Sequence, residues 1–334
     1  MFKTIRSLGK RVIPAAFLLI LTVLLLTGCG SATTKDKTAS IKLDYAYYNP
    51  LSLVLKEKGW LEEEFAKDGV KVEWVQSLGS NKSLELLNGS SVDFGSTAGA
   101  AALIGKANGN PIKSVYVYSK PEWTALVTRP DSGIKTVADL KGKKVAVTRG
   151  TDPHIFLLRV LEQNGLTDKD IQLVALQHPD GKNALEKGDV DAWSGLDPLM
   201  AQEEVEKNGQ LFFRDANLNT YGVLNVREAF AQKNPQYVEK VLRGYEKARK
   251  WALANPAEYQ KIVEKEAKLS EAVAAKVLGR TDLSNSVIGE EQKTAIIAAG
   301  NILLKNGIVS QGTDIGKVVS DLIDSQYINK ISKE

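Results

Sequence analysis

Residues 145–158, Val-Ala-Val-Thr-Arg-Gly-Thr-Asp-Pro-His-Ile-Phe-Leu-Leu, bring a cation, two hydroxyls and a histidine to the junction of an apolar strand and an apolar helix. Val145, Ala146 and Val147 suit a short buried strand, and Gly150 permits a sharp turn. Thr151 or Asp152 can cap the helix, with Pro153 just inside it. A helix N-terminus offers unpaired N–H donors and a partial positive charge, and Arg149 adds a full charge on a planar fork of donors. The chemistry such a junction suits is capture of an oxyanion. The same residues also read as a solvated turn arginine and an ordinary cap, so the elements around them must decide.

Those elements alternate. Residues 41–46 read as a strand, and Asn49 with Pro50 starts a helix that stops near Gly59. Residues 70–75 form a second strand. The loop 77–80, with Gly79 and Ser80, enters another helix; 92–95 form a third strand, and Thr97 caps a small-residue helix beginning Ala98-Gly99. Strand-helix alternation implies a parallel sheet, with ligands at the carboxyl ends of its strands, where Asn49, Ser80 and Thr97 fall. Residues 114–118 and 123–128 read as strands, and Arg129-Pro130 as turn material for a crossing between lobes. The pattern then repeats: the opening stretch, a strand at 171–176, helix at 183–187, strand at 190–193, a helix capped by Asp197-Pro198, and strands at 211–213 and 221–226. From Arg227 onward the chain reads as helices that return to the first lobe.

At the N-terminus Lys3, Arg6, Lys10 and Arg11 precede an apolar run of about sixteen residues, short of the roughly 20 needed to span a bilayer. This pattern reads as a secretory signal, and Leu26-Thr27-Gly28-Cys29 matches the lipobox of bacterial lipoproteins. Cys29 is the only cysteine, so no intramolecular disulfide can form. The chain has 44 bases and 40 acids; removing the four bases of the signal leaves 40 of each, and a neutral body gives no reason to expect nucleic acid. Residues 31–40 are small and polar, as in a flexible tether.

Several segments together resemble the aliphatic-sulfonate-binding proteins, extracytoplasmic receptors of ABC importers related to taurine and nitrate receptors. They are Pro50-Leu-Ser-Leu53, Gly59-Trp-Leu-Glu62 with Phe65, Val92-Asp-Phe-Gly95, Asp139-Leu-Lys-Gly-Lys-Lys-Val145 with Arg149-Gly150, Gly188-Asp-Val-Asp-Ala-Trp193 and Asp197-Pro198. The resemblance covers about residues 41–255. It implies an α/β, two-lobed type II periplasmic-binding-protein fold with parallel-sheet lobes and a helical C-terminal part. The divisions expected are signal 1–28, lipid-anchored linker 29–40, lobe 1 at 41–127 and 223–334, and lobe 2 at 128–222, with crossovers near 124–128 and 222–226.

It further implies capture of an aliphatic sulfonate for import, with taurine, nitrate or a thiamine-pyrimidine precursor as alternative ligands. A sulfonate is a permanent anion that needs several donors and no proton exchange. The ligand-binding set expected is Asn49, Pro50, Gly79, Ser80, Thr97, Ala98, Gly99, Trp123, Arg149, Gly150, Thr151, His154, Trp193, Asp197 and Tyr221, with Tyr47 and Tyr48 as further candidates for the apolar tail. His154 reads either as a cleft residue or as a satisfied residue beside the cap. Asp197 reads either as a cap or as the partner of a ligand ammonium. The family's common Trp-Asp-Pro is Leu196-Asp197-Pro198 here, which removes one aromatic wall. Two histidines and one exported cysteine argue against a metal centre, and neither a Gly-Lys-Ser phosphate loop nor a Gly-x-Ser-x-Gly elbow is present. The expected protein is a non-enzymatic, cofactor-free monomer, lipidated at Cys29 on the outer face of the cell membrane, with an ABC permease and its ATPase as partners.

Overall fold

The structure, a computed structural model, describes residues 38–333, so the expected signal, Cys29 and most of the linker lie outside the described residues. The first elements are β1 (Ser40–Tyr45), α1 (Pro50–Lys58), α2 (Trp60–Ala66), β2 (Lys71–Gln76), α3 (Ser80–Asn88), β3 (Phe94–Ala98), α4 (Gly99–Ala107) and β4 (Ile112–Pro121). A second series follows: β5 (Thr124–Thr128), β6 (Lys144–Val147), α5 (Asp152–Gln163), β7 (Gln172–Ala175), α6 (His178–Lys187), β8 (Ala192–Leu196), α7 (Leu199–Glu206) and β9 (Gln210–Phe213). The chain returns through β10 (Gly222–Arg227) to α8 (Glu228–Lys233), α9 (Pro235–Ala254), α10 (Pro256–Ala267), α11 (Glu271–Gly279), β11 (Thr281–Asp282), α12 (Glu290–Lys305), α13 (Ile315–Leu322) and α14 (Gln326–Ile331). None of the described helices is long and apolar enough to cross a membrane.

Local chemistry sets many of these boundaries. The Asn49 side chain accepts the Ser52 N–H, Pro50 occupies the first turn of α1, and Gly59 ends it at φ 64°. Pro153, Pro179, Pro235 and Pro256 likewise stand in first turns, where the missing N–H costs nothing. β1 and β2 pair in parallel from Ser40↔Lys71 to Tyr45↔Gln76, burying Ile41 and Leu43 on the core side.

Two sheets result, one ordered β11-β4-β10-β3-β1-β2 and the other β7-β6-β8-β5-β9. Each has the expected parallel centre, but β10 runs antiparallel to β3, and β5 antiparallel to β8, because each enters from the other lobe. The first crossing falls at residues 122–123, between β4 of one sheet and β5 of the other, a few residues before the expected boundary at 127. Ala125 and Val127 belong to the apolar core of the second lobe with Ala146 and Trp193, which draws all of β5 into that lobe. Helices α9, α12 and α13 pack on the first lobe, where Val238, Val241, Leu242, Ile296, Leu303 and Val319 join the large core built on β1, β3, β4 and β10.

Candidate binding site between the lobes

The segments that follow β1, β2, β7 and β8 meet around a cavity of about 130 Å³ lined by Tyr47, Tyr48, Ser77, Leu78, His178, Pro179, Leu196, Asp197, Pro198 and Leu199. Its walls are mainly apolar, with polar groups at the floor and one end. At the floor, the buried Asp44 carboxylate accepts from Ser77 Oγ and Ser83 Oγ (both 2.8 Å), from Ser96 Oγ (2.8 Å) and from the Ser96 N–H (2.9 Å). Tyr48 Oη donates to the Ser96 carbonyl at 2.9 Å and lies 3.0 Å from Ser77 Oγ. Burial raises the carboxyl pKa of Asp44 and pushes the Tyr48 phenol well above its usual range, so Tyr48 stays a neutral hydroxyl.

At the polar end, α6 brings His178 against the start of α3. A Cβ built on Gly79 would lie 3.1 Å from His178 Cδ2 and Nε2, and Gly79 holds φ 151°, which favours a residue without a side chain. Burial alone holds the His178 imidazole down at about 3, and neither ring nitrogen has a hydrogen-bond partner. The α3 N-terminus has no side-chain cap, and the N–H groups of Ser80, Asn81 and Lys82 find no acceptor among the described residues. A neutral imidazole with two unpartnered nitrogens therefore stands at one end of an otherwise apolar space, with the α3 start packed beside it. Such an arrangement favours an anion with an apolar tail.

The expected site residues divide. Asp197 lines the cavity; its carboxylate accepts the Ala201 N–H at 3.0 Å, as the cap reading requires, and also pairs with Arg280 at 3.3 Å. Burial raises this carboxyl to about 7 against the pull of Arg280. Gly79 and Ser80 stand at the α3 start, although Ser80 Oγ faces inward and accepts the Ala98 N–H at 3.0 Å. The expected cradle at the start of α4 is closed: the Gly99 N–H donates to the Tyr221 carbonyl, the Ala100 N–H to Thr220 Oγ1, and Thr97 Oγ1 accepts from Asn225. Ala98, Gly99 and Thr97 thus join lobe 1 internally and present no donor to the cavity. Asn49 is likewise internal, bonded to Ser96 Oγ and the Tyr245 hydroxyl, and Pro50 is buried in the first turn of α1.

At the second lobe's junction the Thr151 hydroxyl donates to the Thr148 carbonyl at 2.6 Å and does not cap α5. The first residue of α5, Asp152, ties the helix start to the crossings: its carboxylate accepts from Trp123 Nε1, the Thr220 N–H and Thr220 Oγ1. Arg149 is exposed, without hydrogen bond or ion pair among the described residues, and Gly150 beside it supplies a φ of 74°. His154 is buried with Nδ1 unpartnered; burial, aided by Arg149, lowers it to about 4. Trp123 stands behind Tyr48, ring centroids 6.1 Å apart at 82°, and supports the wall without lining it. Trp193 is a correction: it is fully buried in the lobe 2 core against Gly181, with Ala125, Val127 and Ala146, and is not among the residues that line the cavity. Tyr221 bonds Glu291 of α12 and does not reach the cavity lining.

Residues absent from the expected set include His178, Pro179, Ser77 and Leu78. The signal for His178 was present: Pro179 one residue later and Asp180 in the first turn mark a helix start just after a strand, where a parallel sheet places ligands.

Two α/β lobes joined by two crossings, with a small cavity at the carboxyl ends of both parallel centres, define a periplasmic-binding-protein fold. The chain belongs to the NMT1/THI5-like family, whose model matches residues 51–259. It is 28% identical over 322 residues to a Bacillus subtilis (strain 168) protein named for binding aliphatic sulfonates, covering 95% of this chain and 96% of that relative. An Escherichia coli (strain K12) protein of the same name is 30% identical over 220 residues, 65% of this chain and 68% of the relative. Among solved structures, the alkanesulfonate-binding protein SsuA from Xanthomonas axonopodis pv. citri bound to MOPS superimposes with a TM-score of 0.79 at 23% identity, over 86% of this chain and 99% of that one.

Proposed function

We propose that this protein is the extracytoplasmic receptor of an ABC importer and holds an aliphatic sulfonate, chemically unchanged, between its two lobes. The observation that carries the reading is the cavity's division into an apolar body and one end where the neutral His178 has no hydrogen-bond partner, with the uncapped α3 start beside it. A sulfonate head needs donors without proton exchange, and an alkyl tail needs apolar walls such as Pro179, Leu196 and Leu199. The names of the two relatives support the same ligand class. Lipidation at Cys29, anchoring to the outer face of the membrane, action as a monomer and delivery to a permease with its ATPase complete the proposal.

A thermal-shift panel of alkanesulfonates, taurine, nitrate, sulfate and a thiamine-pyrimidine precursor tests it. A ligand that binds only the folded state stabilises it by mass action, by about 2.7 kcal/mol at a hundredfold excess over Kd, and so raises the melting midpoint. Alkanesulfonates are expected to give the largest shift; a shift with nitrate or the pyrimidine alone would overturn the reading. Metabolic labelling with palmitate, lost in Cys29→Ala, checks the anchor.

A further inference from the structure

Asp197 is a carboxylate on the wall of a cavity read as holding an anion, and its engagement by a residue distant in sequence decides what it does there. We infer that Arg280 is a specificity-determining residue: by pairing with Asp197 it withholds that carboxylate from the cavity and so turns away sulfonates that carry an ammonium group. The inference rests on the sulfonate reading and names the ligand subclass, a sulfonate with an uncharged tail.

Arg280 lies beyond residues 51–259, which the family model matches, on the short connection from α11 to β11. β11 joins the edge of the lobe 1 sheet through Thr281↔Pro121 and Asp282↔Lys120, and the Glu122 N–H donates to the Arg280 carbonyl. Val273 and Val277 of α11 pack against Ala201 and Val205 of α7 in lobe 2. The arginine is thus fixed from both lobes, with its side chain 6% exposed. Its Nη1 lies 3.3 Å from Asp197 Oδ1 and 3.4 Å from Oδ2, while Nη2 bonds Glu204, which Lys276 also meets at 3.2 Å. Together with the Ala201 N–H, these contacts occupy the Asp197 carboxylate.

An ammonium entering this cavity would leave water and find no unpaired carboxylate, since Asp44 beneath the floor is already held by Ser77, Ser83 and Ser96. The floor hydroxyls of Tyr48 and Ser77 are neutral acceptors at best, and a buried cation without a partner is strongly disfavoured. An alkyl tail of the same length loses nothing there. Arg280 also adds positive potential near the anion, but that contribution is common to every sulfonate and cancels in a comparison of two.

Taurine and propane-1-sulfonate have the same number of heavy atoms and differ in ammonium against methyl, so their affinity ratio isolates the effect. Isothermal titration with both ligands is expected to favour propane-1-sulfonate in the wild-type protein. In Arg280→Met the ratio should move toward taurine by about tenfold or more, the scale of one charge-assisted hydrogen bond. Arg280→Gln, which keeps a donor toward Glu204, should move it in the same direction, and Arg280→Lys should hold the wild-type ratio. A cooperative melt of each variant establishes that it folds. A wild-type preference for taurine, or a ratio unmoved in folded Arg280→Met or Arg280→Gln while propane-1-sulfonate still binds, overturns the inference alone. Failure of the wild-type protein to bind either ligand overturns the sulfonate reading and this inference with it.

Discussion

Replacing His178 with leucine should stabilise the unliganded protein while weakening its binding of an anion. In the folded protein both imidazole nitrogens are buried without partners, one a donor and one an acceptor. Each unsatisfied group costs about 1–3 kcal/mol, and leucine fills a similar volume without either. Allowing for imperfect packing beside Gly79, the net gain at pH 8 is about 1–2 kcal/mol, a rise in melting temperature of about 2–4 °C at this chain length.

The gain must also depend on pH. Folding lowers the histidine from 6.5 to about 3, so below pH 6.5 the unfolded chain takes up a proton that the folded protein refuses. Stability contributed by this group is therefore lost as pH falls through that window. The variant escapes the loss, and its advantage over wild type should grow by about 1.4 kcal/mol per pH unit below 6.5. Other titrating groups are common to both proteins and cancel. Urea denaturation at pH 8, 6 and 5 measures the difference, and titration with propane-1-sulfonate should show affinity reduced by about tenfold or more. A variant less stable than wild type at pH 8, with unchanged affinity, would refute the reasoning and make His178 a packing residue.

Asp152→Ala should cost about 2–4 kcal/mol in chemical denaturation, because it strands the Trp123 indole N–H and the Thr220 N–H inside the protein. Gly222→Ala should destabilise by about 1–3 kcal/mol or more at the second crossing, since its Cβ would lie 2.3 Å from Tyr118 Cε2 and 2.8 Å from Ser119 Oγ; a neutral result would mean β10 shifts freely. Arg149→Ala should leave the stability measured by urea denaturation within about 0.5 kcal/mol of wild type, as its side chain is exposed and unpaired among the described residues. A larger loss would place that guanidinium in a structural contact.

The two-lobed order was legible because each strand, cap and glycine acts locally. Asn49, Pro50 and Gly59 bound α1, and Gly150 turns the chain after β6, as their chemistry requires. The expected anion cradle at α4 was not legible, because its N–H donors are taken by Tyr221 and Thr220 and the Thr97 hydroxyl accepts from Asn225, all more than a hundred positions away. Trp193 misled for a related reason: a tryptophan on a strand can face a cleft or a core, and only the packing of α6 through Gly181 decides. Reading the helix from Asn183 when it begins at His178 hid the residue that closes the polar end. Asp197 kept two readings in the sequence, because the residue that pairs with it, Arg280, lies 83 positions later.

Leu78 stands on the cavity rim, yet is 52% exposed to solvent, a large apolar side chain half in water beside the ligand space. Because Cys29 is the only cysteine of the chain, a protein beginning at Ser31 carries no thiol at all. A cysteine introduced at position 78 would then be a unique attachment point for an environment-sensitive dye, positioned where an arriving ligand changes local polarity. The receptor becomes a reagentless optical sensor, reporting concentration as light without any enzyme or second label.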